Sequence, residues 1–209
     1  MQFALWQIAP GKILTRQELG LVLVDPKQKA ERSRNGRLNL VLSRLACCCG
    51  LRVSEIAKLR LDDVDLASRR PNVRIRREVG KGGRGRWVPL WWDAGTLADL
   101  VAWKAKQATD GAKPTDPFLC SQQRGAKVRP LSRHTLRRRF QTACRVLGLE
   151  RINRLTIHHG RHTFVSHALA GGRSLAEVRD AAGHTNVSVT SAYLHVAVDE
   201  DEGLGRLFG

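Results

Sequence analysis

Tyrosine is almost absent from this chain, since only one of its 209 residues, Tyr193, is a tyrosine. Acidic residues are also scarce: 19 aspartates and glutamates face 36 lysines and arginines, which gives a formal net charge of +17. No apolar run approaches the roughly 20 residues that cross a bilayer, and the N-terminal stretch lacks the pattern of a signal peptide. We therefore expect a cytoplasmic protein without a membrane partner.

The excess of positive charge predicts a polyanionic partner, because neutralising phosphates releases condensed counterions. A basic protein of the ribosomal type would show the same excess, so charge by itself leaves both classes open. Arginines outnumber lysines. The planar guanidinium suits bidentate contacts with phosphate, and this favours nucleic acid.

The chain has no CxxC spacing, and its five cysteines therefore do not indicate a zinc site. Cys47, Cys48 and Cys49 are adjacent, and on a helix consecutive side chains point to different faces. We interpret all five, including Cys120 and Cys144, as reduced apolar core residues. A P-loop is also missing. We therefore expect no metal, nucleotide or other cofactor.

Over most of the chain, apolar residues recur at the spacing of an α-helix. Capping-box signatures at Thr15 with Glu18 and at Ser174 with Glu177 mark two helix starts. Glycines end two helices, at Gly50 and at Gly183. Further helices are predicted after Ser54, over 93–108, from Ser132 to Leu149 and over 158–172.

One segment has a different pattern. Residues 72–90, "NVRIRREVGKGGRGRWVPL", alternate apolar residues around a glycine-rich turn and predict a β-hairpin. A loop over 113–130 carries a short strand near Phe118. We expect an α+β, mainly helical fold with a small antiparallel β-sheet in one domain, residues 1–209. Its core would cover about 13–196, and 197–209 would form an acidic, then apolar tail.

Taken singly, the chemically interesting residues have ordinary structural interpretations. Tyr193 is either a buried ring with a bonded hydroxyl or a nucleophile. Arg52 lies between apolar residues, so it must be paired or face a cleft. Lysines at glycine-rich turns, such as Lys81, are usually solvated. A histidine after a helix-ending glycine, such as His184, can bind terminal carbonyls.

Taken together, four motifs resemble the catalytic domain of tyrosine recombinases, the phage integrase family. They are "CGLRVSEIAKLRLDDVD", "VGKGGRGRWVPL", "HHGRHTFVSHAL" and "AGHTNVSVTSAYLH", in the family's order and at about its spacing. The resemblance runs from about Ile13 to His195. It implies the integrase-like catalytic fold and cleavage and rejoining of double-stranded DNA through a 3′-phosphotyrosyl intermediate, without metal or ATP.

The resemblance also implies a catalytic set: Arg52, Lys81, His158, Arg161, His184 and Tyr193, with Glu55 in the acidic position beside the first arginine. The residue types suit the chemistry. Two guanidinium groups would stabilise the charge of the reacting phosphate, a histidine could accept the phenol proton, and the lysine could protonate the leaving oxygen. The DNA-contact candidates are Arg84, Arg86, Arg133, Arg137 and Arg138, together with the segment 32–44.

The sequence departs from the family pattern in three places, one of which is the short tail after His195: its "LGRLF" stretch is either a segment that docks on a neighbouring copy or part of a frayed end. The motif "HDLRHT" reads "HHGRHT", and we expect Gly160 to loosen the placement of Arg161 because glycine disfavours helix. Family members usually carry a separate core-binding domain before the catalytic domain. We expect no such N-terminal domain here, and hence either a homo-oligomer (dimer or tetramer on DNA) or a partner that supplies one.

Two other functions fit the same residues. A non-catalytic DNA-binding accessory protein could keep the integrase fold. A type IB topoisomerase-like enzyme uses similar arginine, lysine, histidine and tyrosine chemistry to relax DNA. The residues of the motifs "GLRVSE" and "GHTNVSVT" favour the recombinase.

Overall fold

Helices make up most of the chain that the structure, a computed structural model, describes: residues 8–120 and 128–194. They are α1 (Arg16–Ala30), α2 (Arg34–Ser43), α3 (Val53–Ile56), α4 (Ala94–Thr109), α5 (Arg133–Ala143), α6 (Leu149–Arg154), α7 (Ile157–Ala170), α8 (Leu175–Ala182) and α9 (Val187–Ser191). The strands are β1 (Val64–Asp65), β2 (Asn72–Ile75) and β3 (Arg86–Pro89). The α+β, mainly helical fold is confirmed. In these described ranges no helix has the length and apolar character needed to cross a membrane.

Both predicted capping boxes are present. The Thr15 hydroxyl accepts the Glu18 N–H at 3.1 Å, and the Glu18 carboxylate accepts the Thr15 N–H at 2.9 Å. Ser174 and Glu177 make the same reciprocal pair at the start of α8. The prediction that Ser54 caps a helix was wrong. The N-cap of α3 is Arg52, two residues earlier, and the Glu55 carboxylate accepts the Arg52 N–H at 2.8 Å.

The predicted hairpin is confirmed. Strands β2 and β3 are antiparallel, with Asn72 opposite Pro89 and Ile75 opposite Arg86, and the turn between them contains a short 3₁₀ segment, Lys81–Gly83. Strand β1 adds a third, edge strand that the sequence analysis did not predict. The Lys81 turn therefore projects from the end of a three-stranded sheet.

The region around Phe118 forms two isolated β-bridges in place of the expected strand. Arg60 pairs with Pro117 and Cys120 pairs with Pro130. Phe118 itself is fully buried. Residues 121–127 of this loop, and the tail from 195 onward, lie outside the described residues.

A π-helical turn, Arg44–Cys48, continues α2 into the core and packs against α7. The five cysteines are buried and free, as predicted. A Cβ at Gly160 would lie 3.0 Å from the Cys47 sulfur and 3.1 Å from the Ala46 Cβ. Gly160 therefore allows α7 to approach the π turn closely, and the expected loosening near Arg161 is replaced by tight packing.

Arg44 lies at the end of the segment 32–44 that was predicted to contact DNA. It is instead buried and paired with two carboxylates. Its guanidinium donates to Asp99 at 2.8 Å and to Asp93 at 3.1 Å, and only 10% of the side chain is exposed. Asp93 also caps α4 through the Gly95 N–H. These ion pairs fix α4 to the π turn and leave Arg44 unavailable to a ligand.

Candidate active site

Arg52 and Arg161 come together where two helical segments end. Arg161 is 3% exposed and donates to the carbonyl of Gly50 at 2.7 Å and to that of Ala182. Arg52 donates to the carbonyl of Gly183 at 3.2 Å. The carbonyls left unpaired at the ends of the π turn and of α8 thus hold both guanidinium groups.

Gly50 and Gly183 make this arrangement possible. Both have left-handed backbones, with φ of 62° and 66°, a region that costs other L-residues free energy. Gly183 ends α8 there, as predicted. A Cβ at Gly50 would lie 2.3 Å from the Phe164 ring. The turn that presents the Gly50 carbonyl to Arg161 therefore requires glycine.

Glu55 lies beneath Arg52 and is completely buried. Its carboxylate accepts from Arg52 at 3.0 Å and from both Nη atoms of Arg86 at 2.7 and 2.8 Å. The Arg86 Nε donates to the Ala181 carbonyl at 2.8 Å. Arg86, a predicted DNA contact, has 8% of its side chain exposed, and through these bonds it ties β3 to α3 and α8.

The local charge is positive. Glu55 lies against Arg52 and Arg86, whereas the hydrogen bonds of the Arg161 guanidinium within the described residues go to neutral carbonyls. Burial, followed by the charges of Arg52 and Arg86, lowers the pKa of Arg161 to about 9. An anion bound beside Arg52 and Arg161 would offset this repulsion, so the site is suited to a phosphate.

Lys81 shares a cavity of about 240 Å³ with Arg52, Arg84 and His184. Lys81 and Arg84 are exposed on the hairpin turn, so both ammonium and guanidinium can reach a ligand at the cavity mouth. The hairpin thus brings its lysine to the same cleft as the arginine of α3.

Arg52 also borders a second cavity, of about 480 Å³, which His158, Arg137 and Gln141 line as well. Arg137 projects from α5, where Arg133 and Arg138 are exposed. The same helix is anchored by Arg139, which donates to Asn39 and Asn35 of α2. The α5 face therefore forms a basic wall beside the arginine cleft.

Tyr193 follows α9 and is 4% exposed. Its ring stacks on His184, with centroids 6.4 Å apart and planes at 17°. His184 is oriented in turn by a 2.9 Å hydrogen bond between its Nδ1 and the Thr190 hydroxyl. Burial raises the pKa of Tyr193, and the nearby charge of Arg161 acts in the opposite direction. The phenol is thus protonated at neutral pH in the free protein.

His162 is a site residue that the sequence reasoning missed. The Tyr193 hydroxyl lies 2.6 Å from the His162 Nδ1. The His162 ring meets that of His158 edge-on, with centroids 4.7 Å apart. Their spacing of four places both on one face of α7, which is the signal that could have pointed to His162.

His159 explains one departure from the family motif. Its Nδ1 accepts the Thr156 N–H at 2.7 Å, so the imidazole caps the first turn of α7 where the motif has an aspartate. Burial, aided by the charges of His158 and Lys12, lowers the pKa of His159. The ring therefore stays neutral at pH 7 and can accept this bond.

The predicted site residues lie around Arg52, which borders both cavities. Arg52, Arg161 and His184 meet at the end of α8, Tyr193 stacks on His184, Lys81 enters from the hairpin and His158 lies beyond His162. Across 8–120 and 128–194, no group of three or more histidine, cysteine or acidic side chains is placed to hold a metal ion.

Comparison with known proteins agrees with this geometry. The model of the phage integrase family matches residues 18–200. A tyrosine recombinase of Pseudothermotoga lettingae is 34% identical over 169 residues, which are 81% of this chain and 52% of that protein. The tyrosine recombinase XerD of Pseudomonas putida is 32% identical over 168 residues, covering 78% of this chain and 51% of XerD.

Two solved structures share the fold. One is the XerH site-specific recombinase bound to palindromic difH substrate, with a TM-score of 0.69 and 24% identity over 93% of this chain and 52% of XerH. The other is a lambda integrase dimer bound to a COC′ core site, with a TM-score of 0.60 and 19% identity over 91% of this chain and 48% of the integrase chain. The chain thus spans about half the length of the curated relatives it matches.

Proposed function

The chain belongs to the phage integrase family, and we propose that it cleaves and rejoins DNA strands with Tyr193 as the nucleophile. The observation that carries the proposal is the placement of Arg52 and Arg161, two guanidinium groups in a positive cleft, next to the chain's single tyrosine. Phosphate binding to such a pair uses charge-assisted hydrogen bonds.

In the first step the Tyr193 oxygen attacks the scissile phosphorus. The Arg52 and Arg161 groups stabilise the added negative charge, which is greatest in the transition state. Their hydrogen bonds to carbonyls fix both groups before DNA arrives, so little reorganisation is needed. Lys81 donates a proton to the leaving 5′ oxygen.

The product of this step is a 3′-phosphotyrosyl link and a free 5′ hydroxyl. A 5′ hydroxyl from a second strand then attacks the link and releases Tyr193. The bond energy is kept in the covalent intermediate, so ATP is not part of the scheme. His158 and His184 would bind phosphate oxygens from the two sides of the cleft that they line.

We further propose that double-stranded DNA lies across the α5 face and the hairpin turn. Arg133, Arg137, Arg138 and Arg84 are exposed along this surface, and such residues bind the backbone without reading sequence. Strand exchange between two duplexes requires more than one active site, so the proposal includes assembly of several copies, or of this chain with a partner that supplies a core-binding domain. A cytoplasmic location is part of the same proposal.

A trapped covalent adduct tests the proposal. The substrate is a pool of nicked duplexes with randomised sequence around the nick, in which cleavage releases a short fragment and blocks rejoining. We expect a DNA-linked species on a denaturing gel for the wild-type chain and none for Tyr193→Phe. Absence of the adduct, in a mixture where a gel-shift assay shows binding, would contradict the enzyme assignment and favour an accessory DNA-binding role.

A further inference from the structure

The hydroxyl of Tyr193 has a close partner outside the predicted catalytic set. His162 Nδ1 lies 2.6 Å from it, a short hydrogen-bond distance. His162 follows Arg161 directly on α7, and α7 is rigidly placed, because Gly160 packs against the π turn and Arg161 bonds two carbonyls. The bond is thus made by a group whose position the core determines.

We infer that His162 accepts the proton of Tyr193 when the phenol attacks DNA. This rests on the proposed function. The Tyr193 O–H bond breaks and its proton passes to His162 Nδ1, while the phenol oxygen forms the bond to phosphorus. The bond from phosphorus to the 5′ oxygen breaks, and that oxygen takes a proton from Lys81. In rejoining, the released phenolate takes its proton back from His162, and Lys81 takes the proton of the incoming hydroxyl.

The neighbouring histidines are placed differently. His184 faces the Tyr193 ring by stacking, and its Nδ1 is engaged by Thr190. His158 meets the edge of the His162 ring and borders the cavity on the Arg137 side. In the described part of the chain, the hydrogen-bond partner of the Tyr193 hydroxyl is the Nδ1 of His162.

The electrostatics of the site make His162 a neutral acceptor. Burial, then the charges of His158, His159, Lys12 and Arg161, lower the pKa of His162 to about 4. Its imidazole is therefore uncharged at pH 7, with one ring nitrogen free to accept. A bound phosphate would partly neutralise the positive surroundings and raise the basicity of His162 when it is needed.

The single tyrosine allows a direct test. Growth on 3-fluorotyrosine replaces only Tyr193 and makes the phenol more acidic. The His162→Asn variant keeps an oxygen near the Nδ1 position but no base. His159→Asn is the matched control on the same helix, because asparagine can still cap α7. Adduct formation on the nicked-duplex pool is timed for each protein, and duplex binding is measured alongside.

We expect His162→Asn to bind the duplex like wild type and to form adduct on the order of 100-fold more slowly. Fluorotyrosine should recover a large part of that loss and change the wild-type rate much less. His159→Asn should stay within about twofold of wild type. Wild-type rates in His162→Asn would overturn the inference. A loss that fluorotyrosine does not recover would also overturn it, by showing that His162 only positions the ring.

A second variant covers the case in which His162→Asn misfolds. His162→Ala leaves space for free imidazole, which should speed adduct formation in this variant and leave the rate of His159→Ala unchanged. No rescue in a folded His162→Ala protein would contradict the inference. Failure of wild type itself to form an adduct would instead contradict the proposed function, so the two failures are distinguishable.

Discussion

Glu55 and Arg86 form a bidentate ion pair, with oxygen–nitrogen distances of 2.7 and 2.8 Å, in a place that solvent hardly reaches. The same carboxylate holds Arg52, and the same guanidinium holds the last turn of α8. One buried pair therefore joins the hairpin, α3 and α8 at the point where the phosphate-binding arginines are placed.

Removing Glu55 should destabilise the fold strongly. Glu55→Ala would leave Arg86 buried without its counter-charge, which costs about 3–5 kcal/mol in comparable buried pairs. Urea unfolding measures the change. Glu78→Ala, on an exposed carboxylate that pairs with Arg76, is the control and should leave the midpoint unchanged. Equal effects of the two substitutions would contradict the role given to Glu55.

The Glu55 carboxylate should also make the free energy of unfolding depend on pH. Burial by itself raises the pKa of Glu55, but hydrogen bonds and charge from Arg86 and Arg52 outweigh it and hold the pKa below its usual 4.5. A depressed folded pKa gives stability that is fully present above 4.5 and is lost as the pH falls through the folded value. Unfolding free energies measured from pH 6 down to pH 3 should show this loss in wild type and a smaller one in Glu55→Gln. If wild type and Glu55→Gln lose stability in parallel as the pH falls, groups other than Glu55 cause the loss.

Arg84 and Arg86 are two residues apart, but replacing Arg84 should weaken DNA binding, whereas replacing Arg86 should destabilise the fold. Arg84→Ala should leave stability within about 0.5 kcal/mol and lower the slope of log affinity against log salt by about 1 on a random-sequence duplex. Arg86→Ala should lower the free energy of unfolding by several kcal/mol, because it leaves the buried Glu55 carboxylate without its bidentate partner. A folded Arg86→Ala protein whose main defect is a lower salt slope would restore Arg86 as a DNA contact.

Gly50→Ala should disturb Arg161 through the backbone. A left-handed conformation costs other residues about 1–2 kcal/mol, and overlap with the Phe164 ring adds about 1–3 kcal/mol. Gly172→Ala is the control: its φ is +83°, and nothing lies within 4 Å of its added Cβ. The difference in unfolding free energy between the two variants, measured by thermal and urea unfolding, gives the cost of the overlap with the Phe164 ring. If Gly172→Ala is as destabilising as Gly50→Ala, the contact with Phe164 is unimportant.

The sequence predicted the features whose signals are local. The capping boxes at Thr15 and Ser174, the glycine that ends α8 and the hairpin around Lys81 all depend on residues within a few positions of one another. The cluster of motifs also indicated which side chains share the cleft. Strand β1 escaped prediction because two residues are too short to show an alternation.

Features that depend on distant contacts were missed. Arg86 looked like a surface residue of a basic hairpin, yet its partner Glu55 lies 31 positions earlier. Arg44 is neutralised by Asp93 and Asp99, 49 and 55 positions away. His162 has meaning only beside Tyr193, 31 positions later. The sequence shows how many charges there are, but the fold decides which are already paired.

The most direct test of the central claim is to locate the covalent bond. The adduct from the nicked-duplex pool is digested with nuclease and protease and analysed by mass spectrometry. We expect one modified peptide, carrying a nucleotide joined through its 3′ phosphate to Tyr193. A bond to any other residue, a link through a 5′ phosphate, or no modified peptide from protein that binds the pool would contradict it.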